Sequence, residues 1–284
     1  MKKLTVFCAA ACLAASAAAQ NHPDLHEVLD RQKGRNLIEI PKGTYTLDVR
    51  NNGPYKFHNL TDVHINGNGS TVICNNQEQA FSFYNCVRVE LRDLTIDYDP
   101  LCFTQGEITA VAEDGSWFDV RIDEGYPVTG LAANRVQFYD PQTRLLKRNS
   151  ITTYTSNYSA LKQLGHNLFR AVKNGTWSAG EQVGDLVVMD VKTDKPNAGV
   201  HTVMLNKCYN TKLENVTVYG SNTFSFFEKE GYANEYRNCV VDRGPMPQGI
   251  RPRLRSGNAD GIHSSQARKG PTVTGCKVGH NGDD

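Results

Sequence analysis

Two short acidic motifs stand out near the end of the 284-residue sequence: Asn258-Ala259-Asp260-Gly261-Ile262-His263-Ser264 and Gly279-His280-Asn281-Gly282-Asp283-Asp284. Asp260 and Asp283 are 23 residues apart. Carboxyls brought close together raise one another's pKa and cost stability, so stacking acids for a purely structural purpose is unfavourable. Cleavage of a glycosidic bond, by contrast, needs one carboxyl that keeps its proton and one that stays ionised. Asp260, Asp283 and Asp284 are therefore the candidate catalytic acids. The same corners also fit plain turns, where Asp and Gly are favoured, or calcium sites built from oxygen ligands. Asn258, His263 and His280 lie inside the motifs as candidate substrate-binding residues; a turn-stabilising or exposed histidine is the structural alternative.

Such acids can share one substrate only if the chain returns to the same place about every 23 residues, and the sequence carries that repeat. Cys86-Val87-Arg88-Val89-Glu90-Leu91-Arg92-Asp93-Leu94-Thr95-Ile96 matches Cys208-Tyr209-Asn210-Thr211-Lys212-Leu213-Glu214-Asn215-Val216-Thr217-Val218 in its Cys, Leu, Asp/Asn, aliphatic and Thr positions. A weaker copy runs from Asn59 through Val63 and Ile65 to Gly67, and two more carry Cys239 and Cys276. Val216 to Cys239 is 23 residues; Cys239 to Cys276 is 37, which returns to 23 once the 14-residue stretch 245–258 is set aside as a protruding loop. This period, with alternating β-branched residues and Asn/Gly corners, predicts an all-β solenoid, a right-handed parallel β-helix. Adjacent windings would stack about 4.8 Å apart, setting Asp260 beside Asp283 and Cys239 beside Cys276.

One winding back from Asp260 the repeat lands on Thr223, between Asn222 and Phe224. Glu228 and Glu230 follow, read either as lining the same groove, with Glu228 a candidate substrate-binding residue, or as a solvated acidic edge. Arg251, Arg253 and Arg255 fit either contacts to an acidic sugar or a solvated charge run. Residues 24–33 are expected to form a short helix capping the first winding. Between 103 and 197 the repeat disappears. A hairpin around Glu113-Asp114-Gly115-Ser116 and strands near 135–139, 167–172 and 186–191 predict an inserted antiparallel β module, with Trp117 and Trp177 in its core.

Met1-Lys2-Lys3, an apolar run to Ala15 and Ser16-Ala17-Ala18-Ala19 read as a cleaved signal, so residues 1–19 are excluded from the fold. Lipoprotein processing at Cys12 is the competing reading. The expected organisation is then 20–102 and 198–284 as windings, with 103–197 inserted. The product would be exported, periplasmic or secreted. No later stretch is long and apolar enough for a membrane span. A net charge of +1 offers no sign of a nucleic-acid partner. Cys74, Cys86, Cys102, Cys208, Cys239 and Cys276 have no C-x-x-C metal spacing and are read as buried thiols, though an exported context also permits disulfides. Neither a metal site nor a cofactor is expected. The sequence stops at Asp284 without a terminating winding, which predicts missing carboxyl-terminal coils.

The pair "NADGIHS" and "GDD" one winding apart resembles the β-helix glycosidases, including polygalacturonases of glycoside hydrolase family 28. The offsets of 23 and 24 residues, the segment 94–106 (LTIDYDPLCFTQG) and the β module after it are most similar to glycoside hydrolase family 110. That resemblance covers most of the chain, with its specific motifs in two short segments. It implies an inverting exo-α-1,3-galactosidase acting on blood-group-B-type or linear α-galactosyl glycans, without a metal. By similarity Asp283 is the general acid, while Asp260 and Asp284 hold and activate the water. Stacked neighbours would sit closer than the roughly 6.5–9.5 Å usual for inversion, Asp260 with Asp284 being the wider pair. A polygalacturonase, a calcium-dependent lyase and a non-catalytic glycan-binding protein are the alternatives.

Overall fold

The computed structural model describes residues 22–192 and 200–282; the expected leader, the 197/198 boundary, Asp283 and Asp284 lie outside them. The described chain is nearly all β, built from two parallel sheets and one antiparallel sheet. Helix Leu25–Asp30 precedes the first strand, with Asp24 accepting from the His26 amide at its N-cap and Leu25 and Leu29 buried in the core.

The larger parallel sheet runs in the order Leu37–Glu39, His64–Cys74, Glu90–Tyr98, Lys212–Val218, Glu235–Arg237, Thr272–Thr274. The smaller contains Tyr55–His58, Phe81–Tyr84, Val203–Asn206, Phe226–Lys229 and Ile262–Ser265. Strands of the two sheets alternate along the chain, so each passage adds one rung to each. Leu91 pairs with Leu213, Leu94 with Val216 and Ile96 with Val218. Leu213 then pairs with Tyr236 and Tyr236 with Val273. The sequence repeat is thus the physical register of the sheet. Alternation puts Leu213 inside with Lys212 and Glu214 outward, and after the bend at Asn215 it restarts with Val216 and Val218 inside. The smaller sheet turns Phe57, Phe83 and Leu205 inward, and Phe57 stacks on Phe83 at 4.7 Å.

The bends between rungs require left-handed backbone. Asn59, Asn85, Lys207, Glu230 and Gln266, each just past a strand of the smaller sheet, all have φ between 53° and 57°. Asp93, Asn215, Asn238 and Gly275 repeat the pattern at another corner. Asn, Asp and Gly tolerate this region best, which is why they punctuate the repeat.

All six post-leader cysteines are free thiols, and only Cys276 is more than slightly exposed. Cys86 Sγ donates to the Phe57 carbonyl at 3.1 Å, and the Cys239 amide donates to Cys276 Sγ at 3.3 Å, so thiols replace apolar side chains in the inward rows.

Between Tyr98 and Val203 the chain leaves the parallel sheets and builds a seven-stranded sheet, antiparallel throughout, in the order Thr153–Tyr154, Leu131–Tyr139, Leu186–Val191, Phe103–Val111, Trp117–Ile122, Leu168–Lys173, Tyr158–Gln163. The two outermost strands are additional to those read from the sequence. Trp117 is half-buried and packs its ring under the Arg170 guanidinium at 3.5 Å; Trp177 lies against the sheet's own apolar core.

The stretch 245–258 divides: 245–252 is mostly exposed, while 253–258 turns into the protein. Arg253 donates both terminal nitrogens to Asp97, and Arg255 donates to Asp190 at 2.7 Å, both arginines being buried. Only Arg251 remains half-exposed, against Asp123 and Glu107. The charge run is therefore neither solvated nor turned toward a ligand at Arg253 and Arg255, because each has a buried carboxylate waiting for it.

Candidate functional site

Asp260 occupies the bend that leads into Ile262–Ser265, where its carbonyl accepts from the Ser225 amide at 3.0 Å. Phe226 pairs with Ile262, an offset of 36 rather than 37, so Phe224 and not Thr223 stands beside Asp260. The Asp260 carboxylate meets His263 Nδ1 at 2.6 Å, and both side chains are partly exposed. Alternation turns His263 outward from the smaller sheet while Ile262 and Ser264 face inward, which lets the histidine reach back to an acid three residues earlier.

The His263 ring lies flat on Phe224, centroids 4.2 Å apart and 3° from parallel, and Phe224 lies flat on His201 at 4.9 Å and 6°. Phe227 leans on both histidines. Thr223 Oγ1 donates its only proton to the Val200 carbonyl at 2.7 Å, so His201 Nδ1, 2.9 Å from that oxygen, must be the donor between them. Burial and then the neighbouring His263 push the His201 pKa down to about 4, leaving a neutral ring with an acceptor at Nε2. The stack fixes the plane of His263 and hence the direction from which Asp260 is held. The sequence pointed to Phe224 only as a neighbour of Thr223 and gave no signal for His201, which precedes its strand rather than belonging to the repeat.

Asn258 points toward the antiparallel sheet: its Nδ2 donates to Asp190 at 2.9 Å and its carbonyl accepts from Arg135 at 2.7 Å. Burial raises the Asp190 pKa, opposed by the charge and hydrogen bond of Arg255. The Glu228 reading needs correction. Its side chain is wholly buried, accepting from Asn234 at 2.9 Å and Ser264 at 2.8 Å, so it braces the interior and neither lines a groove nor forms a solvated edge. Glu230 is the exposed one, 3.8 Å from Lys207.

His280 stands apart from the Asp260–His263 pair. Its Nε2 is 3.8 Å from Asp242, its pKa is lowered by burial and by Arg243, and it lines a cavity of about 370 Å³ with Tyr139, Leu145, Leu146 and Val278. That cavity touches neither Asp260 nor His263. The second motif does pair through its backbone with the residues just ahead of the first: the Gly282 amide donates to the Gly257 carbonyl at 2.9 Å, and the Ser256 amide to the His280 carbonyl at 2.8 Å. Asp283 and Asp284 follow Gly282 in sequence, outside the described residues.

Among the described residues no group of three or more His, Cys, Asp or Glu is arranged to hold a metal ion, and no helix is long and apolar enough to cross a membrane. No family model matches the chain, and no curated protein matches it either.

Proposed function

We propose that this chain is an exported glycoside hydrolase, an inverting exo-α-1,3-galactosidase resembling glycoside hydrolase family 110, folded as a right-handed parallel β-helix with an inserted antiparallel module. The parallel register of both repeating sheets supports the fold. The observation that carries the function is the backbone pairing of the second motif with the residues just ahead of the first, Gly282 against Gly257, together with a partly exposed Asp260 hydrogen-bonded to His263. In this reading Asp260, Asp283 and Asp284 act on one glycosidic bond, one as acid and the others on the water. His263 orients Asp260, and sugar hydroxyls meet the remaining ring nitrogen. The burial of Arg253 and Arg255 speaks against the uronate-cleaving alternative, which needs those cations free for an acidic sugar.

The test is hydrolysis of a panel of α-galactosyl and galacturonosyl oligosaccharides, with the anomeric configuration of the product followed by NMR. Galactose released in its β form is expected. Uronate or an unsaturated product would end the proposal, and binding without turnover would favour a non-catalytic glycan-binding protein.

A further inference from the structure

We propose that the antiparallel sheet is a positioning device for the acid motifs, with Gln137 at its centre: one buried amide ties the segment leading to Asp260 to the residue that precedes Asp283. Its catalytic consequence rests on the hydrolase reading above; its structural content does not.

Gln137 lies on Leu131–Tyr139 and is almost fully buried. Its Oε1 accepts from Arg255 at 3.3 Å while its Nε2 donates to the Gly282 carbonyl at 2.9 Å. Arg255 continues to Asp190 at 2.7 Å, and the other Asp190 oxygen accepts from Asn258 at 2.9 Å. Arg135, on the same strand as Gln137, donates to the Asn258 carbonyl at 2.7 Å. The Gly282 amide closes the circuit on Gly257. Three residues of the antiparallel sheet, Arg135, Gln137 and Asp190, thus hold residues 255, 258 and 282.

The approach is close. A β-carbon on Gly282 would fall 2.0 Å from the Asn258 carbonyl oxygen and 3.0 Å from Arg135 Nη1. Buried polar circuits of this kind have few alternative geometries, because releasing one member strands its partners without water. Apolar contact alone would suffice to dock an appendage, and Leu254 already gives the stretch 245–258 a place in the antiparallel sheet's apolar core. The polar circuit goes further and fixes Asn258 and Gly282 against each other; on the hydrolase reading these residues flank acids of one site, where small displacements of a reacting group cost large factors in rate.

Gln137→Glu keeps the acceptor for Arg255 and loses the donor to Gly282; Gln137→Leu loses both. Two readouts are taken: kcat and KM on α-1,3-galactobiose, and hydrogen exchange of the Gly282 amide. In both variants kcat is expected to fall on the order of 10- to 100-fold with KM within about threefold. Exchange at Gly282 should quicken at least about tenfold, with the thermal midpoint of Gln137→Glu read alongside to establish that the protein remains folded. If Gln137→Leu does not fold, Gln137→Glu carries the test. Faster exchange without loss of kcat, or loss of kcat without faster exchange, overturns the proposal. Wild-type protein that turns over no galactoside sinks the hydrolase reading instead, and the exchange rates then decide for or against the clamp on their own.

Discussion

At the level of single residues, Asp260 and His263 form a partly exposed hydrogen-bonded pair. Asp260→Asn removes the charge while keeping size and shape, so under the proposed hydrolase reading kcat should drop on the order of 10²- to 10⁴-fold with little change in thermal midpoint. Retained turnover in a folded Asp260→Asn protein would remove this residue from the mechanism. His201 supplies a second measurable consequence. Its pKa, about 4 in the folded state against an ordinary histidine value of 6.5, means that the unfolded chain binds the extra proton first. Stability should therefore fall as pH drops from about 6.5 toward 4, and the dependence should flatten in His201→Phe. Urea midpoints at pH 7 and pH 4.5 for both proteins check this; equal pH dependence in the two would refute it. Motif and spacing made Asp260 and His263 legible in the sequence. The interior place of Glu228 is not legible there, because a lone Glu in an alternating strand says nothing of the Asn234 amide and Ser264 hydroxyl that donate to it.

Strands and bends obey rules that a sequence can display. Pairing of 90–98 with 212–218 follows the residue-by-residue match of their sequences, since an in-register parallel sheet places like positions on like positions. The bends repeat a left-handed residue at each level, and here Ala233, with φ of 51°, stands where Asn210 stands one level earlier. An L side chain in that region carries a steric penalty of about 1–2 kcal/mol, partly offset by the greater freedom of glycine in the unfolded chain. Ala233→Gly should accordingly stabilise the protein by up to about 1 kcal/mol in urea unfolding. A loss of stability would mean that the bend is held by contacts of the Ala233 methyl rather than by backbone conformation.

For the molecule as a whole, the decisive contact is the one between sheets of different kinds. Arg255 and Asp190 are both nearly inaccessible, so removing one leaves the other as an uncompensated buried charge. Arg255→Met should cost on the order of 3–5 kcal/mol, and adding Asp190→Leu should restore much of it. A double-mutant cycle in urea reads this directly, and strict additivity of the two losses would show that the pair is not coupled. The sequence presented Arg251, Arg253 and Arg255 as one exposed run; only the tertiary arrangement separates them, sending two inward and leaving one at the surface.

The sequence by itself determined the all-β character, the spacing of the rungs, the inward thiols and the placement of Asp260 at a bend, because backbone pairing and side-chain alternation are local rules repeated at a fixed period. Tertiary structure alone decided where the arginines of 245–258 go, that Glu228 is interior, that His201 and Phe224 underlie His263, and that Gln137 reaches Gly282. Each of these depends on a partner supplied by a different segment of the chain, and no spacing rule carries the identity of a partner that only three-dimensional packing brings near.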